Sequence, residues 1–187
     1  MRVGIVGLGK LGMPVALALS VKGHDVMGHD IDPLRMQKEV FPHREVGPSG
    51  EPTIEPLLRR SDLRFGSVDE VVAHSEILFV AVQTPHDPYY EGVTRLPDER
   101  IDFDYTYLVA ATRSVSDAVE RLGEDRVVVI ISTVLPGTIR REILPWLSAH
   151  VKLCYNPFFI AMGTTIRDFL NPEFVLFGMC DPEAAAA

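Results

Sequence analysis

Arg2-Val-Gly-Ile-Val-Gly7-Leu-Gly9-Lys10-Leu11-Gly12 opens the chain, and its reading decides the fold. A short apolar segment runs into three glycines spaced G-x-G-x-x-G. Met13 to Lys22 has helical character, and His24-Asp-Val-Met-Gly-His-Asp30 reads as a second strand ending in an acid. The glycine spacing alone is a weak signal. A strand before it, a helix after it and an acid about 20 residues further on make it a dinucleotide-binding fingerprint. Gly7 permits the tight turn, Gly9 lets backbone approach a pyrophosphate, and Gly12 lets helix and strand pack closely. The pyrophosphate then lies on the free N–H groups and positive dipole end of the helix, at Gly9, Lys10, Leu11 and Gly12. Asp30 accepts from the adenosine ribose hydroxyls. A carboxylate there repels a 2′-phosphate, so NAD is expected over NADP.

Working outward, Asp32-Pro33 is an N-cap followed by a first-turn proline and predicts a helix through about Val40. Residues 41–52 form a polar loop, and a short helix covers Ile54 to Arg60. Leu63-Arg-Phe65 is a short strand, and Ser67-Val-Asp-Glu70 has the capping-box spacing that opens a helix. Glu76 to Val82 is the continuous apolar run expected of a parallel strand covered on both faces. It ends in Gln83-Thr84-Pro85. Residues 86–101 form a long polar loop, either a lid or contact surface or a solvated excursion. Asp104 caps a long helix to about Leu122. Arg126 to Ile131 is a β-branched strand, and Ser132 to Thr138 leads into a helix ending near Ser148. Val151 to Tyr155 is a strand, 156–171 is irregular, and Phe174 to Phe177 closes the set. Alternating strands and helices predict an α/β fold: a Rossmann-like, doubly wound, mostly parallel sheet with helices on both faces. Ligands of such sheets lie beyond the carboxyl ends of the strands, where the glycine turn, Asp30, Thr84 and Thr133 fall.

The 187 residues are 47% hydrophobic, enough for a full core. A formal charge of −8 argues against nucleic acid or an acidic membrane surface as partner. No apolar run approaches the roughly 20 residues of a membrane span. The two cysteines and scattered histidines imply neither a disulfide framework nor a metal, and a cytoplasmic location is expected. Asp181-Pro182-Glu183 opens a helix that four alanines are too short to complete. Residues 1–180 are thus read as an NAD-binding domain and 181–187 as the start of a truncated connecting helix in a longer protein.

Taken together, the motifs resemble the N-terminal domain of the UDP-glucose/GDP-mannose dehydrogenase family. The resemblance rests on Gly7 to Gly12 with Pro14, Asp30-Ile-Asp32 with Arg35, Ile54-Glu-Pro56, Val82-Gln-Thr84-Pro85, and above all Ser132-Thr133-Val-Leu-Pro-Gly-Thr138. Asn156-Pro157 through Gly163-Thr164, Asp168 to Pro172 and Gly178 continue it. It implies an oxidoreductase that uses NAD to oxidise the C6 hydroxyl of a nucleotide sugar to the uronate. Arg35 would lie near the adenosine, with Thr84 and Pro85 among the cofactor contacts. Thr133 would lie near the nicotinamide and help hold a catalytic water. The bare residue reading of Thr133 is a hydroxyl that ends a strand by bonding nearby backbone. The family's substrate-binding segments, nucleophilic cysteine and dimer-forming helix come later, so the chain alone is expected to bind NAD without turnover and the full-length protein to pair as a homodimer. Cys154 and Cys180 match no cysteine motif of the family and read as structural.

Three positions depart from the pattern. Phe158 stands where the family carries a glutamate tied to the proton-transfer water, Ala161 where a basic residue is usual, and Met162 where an acid is usual. Phenylalanine cannot relay a proton. Two readings of the cofactor domain stay open, a dehydrogenase with a re-routed proton path and a non-catalytic NAD-binding or sensing module. A third is another C6- or β-hydroxyacid dehydrogenase with a similar first domain.

Overall fold

The computed structural model describes residues 1–37, 44–47, 50, 53–90, 95, 98–161, 163–179 and 184. Its strands are β1 (Arg2–Val6), β2 (Asp25–His29), β3 (Arg64–Phe65), β4 (Ile77–Val80), β5 (Arg126–Ile130), β6 (Val151–Tyr155) and β7 (Gly178–Met179). Its helices are α1 (Gly12–Val21), α2 (Ile54–Arg60), α3 (Val68–His74), α4 (Thr106–Leu122) and α5 (Thr165–Leu170). All strands join one sheet in the order β3-β2-β1-β4-β5-β6-β7, parallel except for β7 against β6. This is the doubly wound arrangement the alternation predicts.

Strand alternation divides the core between the two faces. Val3 and Ile5 of β1 pack with Met13 and Leu17 of α1 and with Ile54 and Leu58 of α2. Val6, Leu78, Val80, Val128 and Ile130 face the other way, onto Val71 and Val72 of α3 and Leu108, Val115 and Val119 of α4. Helix α1 is buried from Gly12 to Ala18, because α2 and α5 cover the side away from the sheet. Apart from Ser20 its sequence is apolar, which suits that position better than an amphipathic one.

Both capping-box bonds of α3 are present: Ser67 Oγ accepts from Glu70 N and Glu70 Oε2 accepts from Ser67 N at 2.7 Å. Ser67→Ala is expected to cost about 1 kcal/mol in denaturant unfolding.

Several expected elements come out differently. Asp32 caps as expected, accepting from Leu34 N at 3.0 Å, but only a 3₁₀ turn, Pro33–Met36, follows, and Gln37 is already extended. No residue of that turn is buried, so nothing holds a longer helix, and residues 38–40 lie outside the described ones. Helix α4 starts one residue late: its N-cap is Tyr105, while Asp104 Oδ1 accepts from Thr106 N. The helix expected up to Ser148 is a π-type turn, Ile139–Ile143, then a 3₁₀ turn, Leu144–Trp146. Pro145 supplies no N–H and crowds the carbonyl four residues back, which stops a regular helix.

The stretch read as irregular contains α5. Its first N–H groups, Thr165 N and Ile166 N, donate to the buried carboxylate of Glu45 at 3.0 and 3.1 Å. Phe174–Phe177 form no strand and stay about half exposed. Asn156 Nδ2 donates to Leu176 O, and ladder pairing with β6 begins only at Gly178. Of the expected terminal helix, all but Ala184 lies outside the described residues, as do Met162, Cys180 and most of 91–97. Ala184 is buried beside Ala81, Val129, Ile131 and Cys154.

Candidate dinucleotide site

The strand order reverses between β1 and β4, and the glycine turn stands at that crevice. Gly7 has φ +94°, a conformation side chains rarely adopt, and its N–H donates to His29 O at 2.8 Å. A Cβ on Gly7 would meet Ala81 O at 2.7 Å, and one on Gly12 would lie 1.8 Å from Gly7 O. Two backbones and the helix start therefore interlock without room for a methyl group. Gly9 differs: a Cβ there would approach only the tip of Arg35, at 3.1 Å. Its surface is an open cradle, and Lys10 beside it is exposed. Helix α1 has no side-chain cap, and since Met13 N already donates to Gly9 O and Pro14 has no N–H, the groups offered to an anion are the N–H groups of Gly9 to Gly12.

Asp30 is 6% exposed and ties this turn to β2. Its Oδ2 accepts from Leu8 N at 2.7 Å and its Oδ1 from Asp32 N at 2.9 Å. A carboxylate has about four acceptor positions, so ribose hydroxyls can still be taken up. Arg35 Nη1 lies 3.9 Å from Asp30 and Nε 3.6 Å from Asp32, with the guanidinium half exposed over Gly9.

On the other side of the crevice, β4 and β5 are stitched beyond their ends. Ser132 Oγ donates to Val82 O at 2.6 Å, and Thr84 Oγ1 donates to Thr133 O at 2.7 Å. Pro85 O accepts from Asp104 N. Ending a strand by bonding backbone is thus the role of Ser132 and Thr84. The Thr133 hydroxyl is exposed and has no protein partner among the described residues.

Phe158 turns inward. Its ring centroid is 6.4 Å from that of Phe79 and 5.2 Å from that of Phe169, and it touches apolar clusters on both sides of β4. Phe159 points away, 56% exposed and stacked 4.4 Å from Phe174. Where a basic residue is usual, Ala161 N donates to Asp168 Oδ2, which also accepts from Thr164 Oγ1. Cys154 is a free thiol buried on β6, and burial pushes its pKa up, away from nucleophilic use.

The sequence reading missed Tyr105. Its hydroxyl donates to Asp102 Oδ1 at 2.6 Å and accepts from Leu135 N and Thr138 Oγ1. Burial, then Asp102, raises its pKa, and the Tyr105 bond is the chief cause lowering that of Asp102. An open groove of about 860 Å³ beside it, along α4, shares no lining residue with the glycine turn. Glu45 was missed as well, since its partners are distant in sequence. Among the described residues, no cluster of three metal-ligating side chains occurs and no helix is long and apolar enough to cross a membrane.

A glycine turn at the switch point, an open cradle at Gly9 and a buried carboxylate closing β2 define a dinucleotide-binding Rossmann domain. The chain belongs to the UDP-glucose/GDP-mannose dehydrogenase family, whose NAD-binding domain matches residues 1–187, so NAD is the cofactor of the domain. It is 28% identical over 196 aligned positions to the GDP-mannose 6-dehydrogenase of Pseudomonas aeruginosa. That match covers 98% of this chain and 42% of the relative, so the chain spans well under half of its length. Among solved structures it is similar to a UDP-glucose dehydrogenase from Pyrobaculum islandicum, at 29% identity and a TM-score of 0.79, covering all of this chain and 42% of that one. A ternary complex of GDP-mannose dehydrogenase from Pseudomonas aeruginosa gives 26% identity and a TM-score of 0.82 at the same coverage.

Proposed function

We propose that this chain is the cofactor domain, residues 1–180, of a nucleotide-sugar 6-dehydrogenase. Gly7, Gly9, Lys10, Leu11 and Gly12 hold the pyrophosphate, and Asp30 takes the adenosine ribose beside Arg35. Thr84, Pro85 and Thr133 lie at the nicotinamide end. The bound cofactor supplies a hydride acceptor. The chain's own residues bind it, fix its two halves against β2 and β5, and keep its phosphates on backbone N–H groups. The bond from Leu8 N to Asp30 carries this reading, because it joins the phosphate turn and the ribose carboxylate into one rigid unit. The relatives' names support a UDP- or GDP-sugar as the whole protein's substrate, and the free buried thiol of Cys154 fits a reducing cytoplasm. Pairing of the whole protein as a homodimer belongs to the same reading.

Calorimetry tests it. NAD is expected to bind, NADP at least about tenfold more weakly because Asp30 repels a 2′-phosphate. Gly9→Ala is expected to keep the parent melting temperature, since its methyl meets only a flexible arginine tip, and to weaken NAD at least about tenfold by filling the cradle. Absence of NAD binding at millimolar ligand overturns the proposal.

The packing of Phe158 favours a second reading, in which the whole protein binds NAD without chemistry. NADH formation by the full-length protein with a panel of UDP- and GDP-sugars separates the two, with silence on every sugar supporting the non-catalytic module.

A further inference from the structure

In the loop after β5, one backbone group on each of three consecutive residues is held by a side chain from a different place. Thr133 O accepts from Thr84 Oγ1, Val134 N donates to Tyr155 Oη at 3.4 Å, and Leu135 N donates to Tyr105 Oη at 3.3 Å. Tyr105 also receives Thr138 Oγ1 at 3.1 Å, and its own proton goes to Asp102. The other oxygen of Asp102 accepts from Arg141 Nη2 at 2.7 Å, in the turn that follows the same loop. The clamp therefore grips the loop at Leu135 and Thr138 and closes on itself at Arg141. Within 132–138 three residues bear hydroxyls. Those of Ser132 and Thr138 are committed to protein partners, whereas that of Thr133 has none among the described residues. The dinucleotide places its adenosine at the acid after β2, so its other half falls on the β4–β5 side, where Thr133 stands.

We propose that Tyr105, fixed by Asp102, is a positioning residue that sets the Thr133 hydroxyl toward the nicotinamide half of the cofactor. This rests on the proposed cofactor orientation. A tyrosine 8% exposed that bonds only backbone, a threonine and an aspartate touches no ligand itself, so its effect must pass through the loop.

NAD and ADP-ribose share adenosine and pyrophosphate, and only NAD carries nicotinamide. Both are titrated into the parent chain, Tyr105→Phe, Asp102→Asn, Thr133→Val and the Tyr105→Phe/Thr133→Val pair. The parent is expected to prefer NAD. Tyr105→Phe is expected to weaken NAD about fivefold and ADP-ribose less than about twofold. Thr133→Val is expected to reduce the same ratio, and the pair no further, as coupling through one hydroxyl requires. The Asp102 side chain is 41% exposed, so Asp102→Asn is expected to fold and to shift the ratio in the same direction even if Tyr105→Phe does not fold. Equal weakening of both ligands, or none, overturns the positioning role while leaving the cofactor orientation intact. A parent that binds both ligands equally overturns the orientation and the positioning role together.

Discussion

Gly12→Ala is expected to cost at least ~2 kcal/mol of stability and to remove measurable NAD binding at millimolar ligand. The new methyl carbon would lie 1.8 Å from Gly7 O, so one backbone must move by about 1.6 Å before an ordinary contact of 3.4 Å is restored. Neither can move freely. Gly7 N is bonded to His29 O, Leu8 N to Asp30, and the Gly7 position is pressed against Ala81 O. The strain passes into the segment whose N–H groups would meet the pyrophosphate. Circular-dichroism melts and calorimetric titration beside Gly9→Ala check the result. Gly9→Ala is expected to lose affinity alone, and Gly12→Ala to lose affinity and stability together. A Gly12→Ala protein with the parent's melting temperature and NAD affinity would place the phosphates elsewhere.

These two glycines also show why the fold was legible. The turn, the strand before it, the buried helix after it and Asp30 are contiguous in sequence, and each is dictated by local backbone demands. The β-branched run at 126–131 and the capping box at Ser67 are legible for the same reason. Failures came where a distant group decides. Nothing near Thr165 announces a helix, because the carboxylate that receives its first N–H groups belongs to Glu45, 120 residues earlier. Phe174–Phe177 has strand composition, but Asn156 bonds Leu176 O and the ladder starts later. At 138–148 the deciding group is local instead: Pro145 forbids the regular helix expected there.

The candidate site divides in the same way. Its phosphate and ribose half reads directly from G-x-G-x-x-G and the acid after β2, since those residues are chosen by backbone geometry and charge. The β4–β5 half was recognised only by motif resemblance. Its organisation depends on which hydroxyls are already taken, and sequence carries no such information. Tyr105 belongs to that half. It sits before a long helix, where an aromatic residue reads as core, and its hydroxyl matters through partners 30 and 33 residues later.

Phe158→Glu is the second large effect, with an expected loss of about 3 kcal/mol at neutral pH. The substitution exchanges a ring packed between Phe79 and Phe169 for a carboxylate facing the same apolar surroundings. Partial burial against apolar side chains raises the folded-state pKa of such a carboxyl above its ordinary value of about 4.3. Between the two pKa values the native state then holds a proton that the unfolded chain has released. Stability therefore falls as pH rises from about 4.3 through the folded pKa, and is greatest at or below the former. Denaturant unfolding at pH 5 and pH 7.5 is expected to show a larger deficit at the higher pH. Phe158→Leu, which keeps an apolar side chain, is expected to lose only about 1 kcal/mol, with no such pH trend. A Phe158→Glu protein as stable as the parent at both pH values would mean that this position faces water. The glutamate usual in the family would then be tolerated here unchanged, and the case for a domain shaped around an aromatic residue would fall. The expected result instead means that restoring the carboxylate requires Phe79 and Phe169 to change as well, because the three rings pack as one unit.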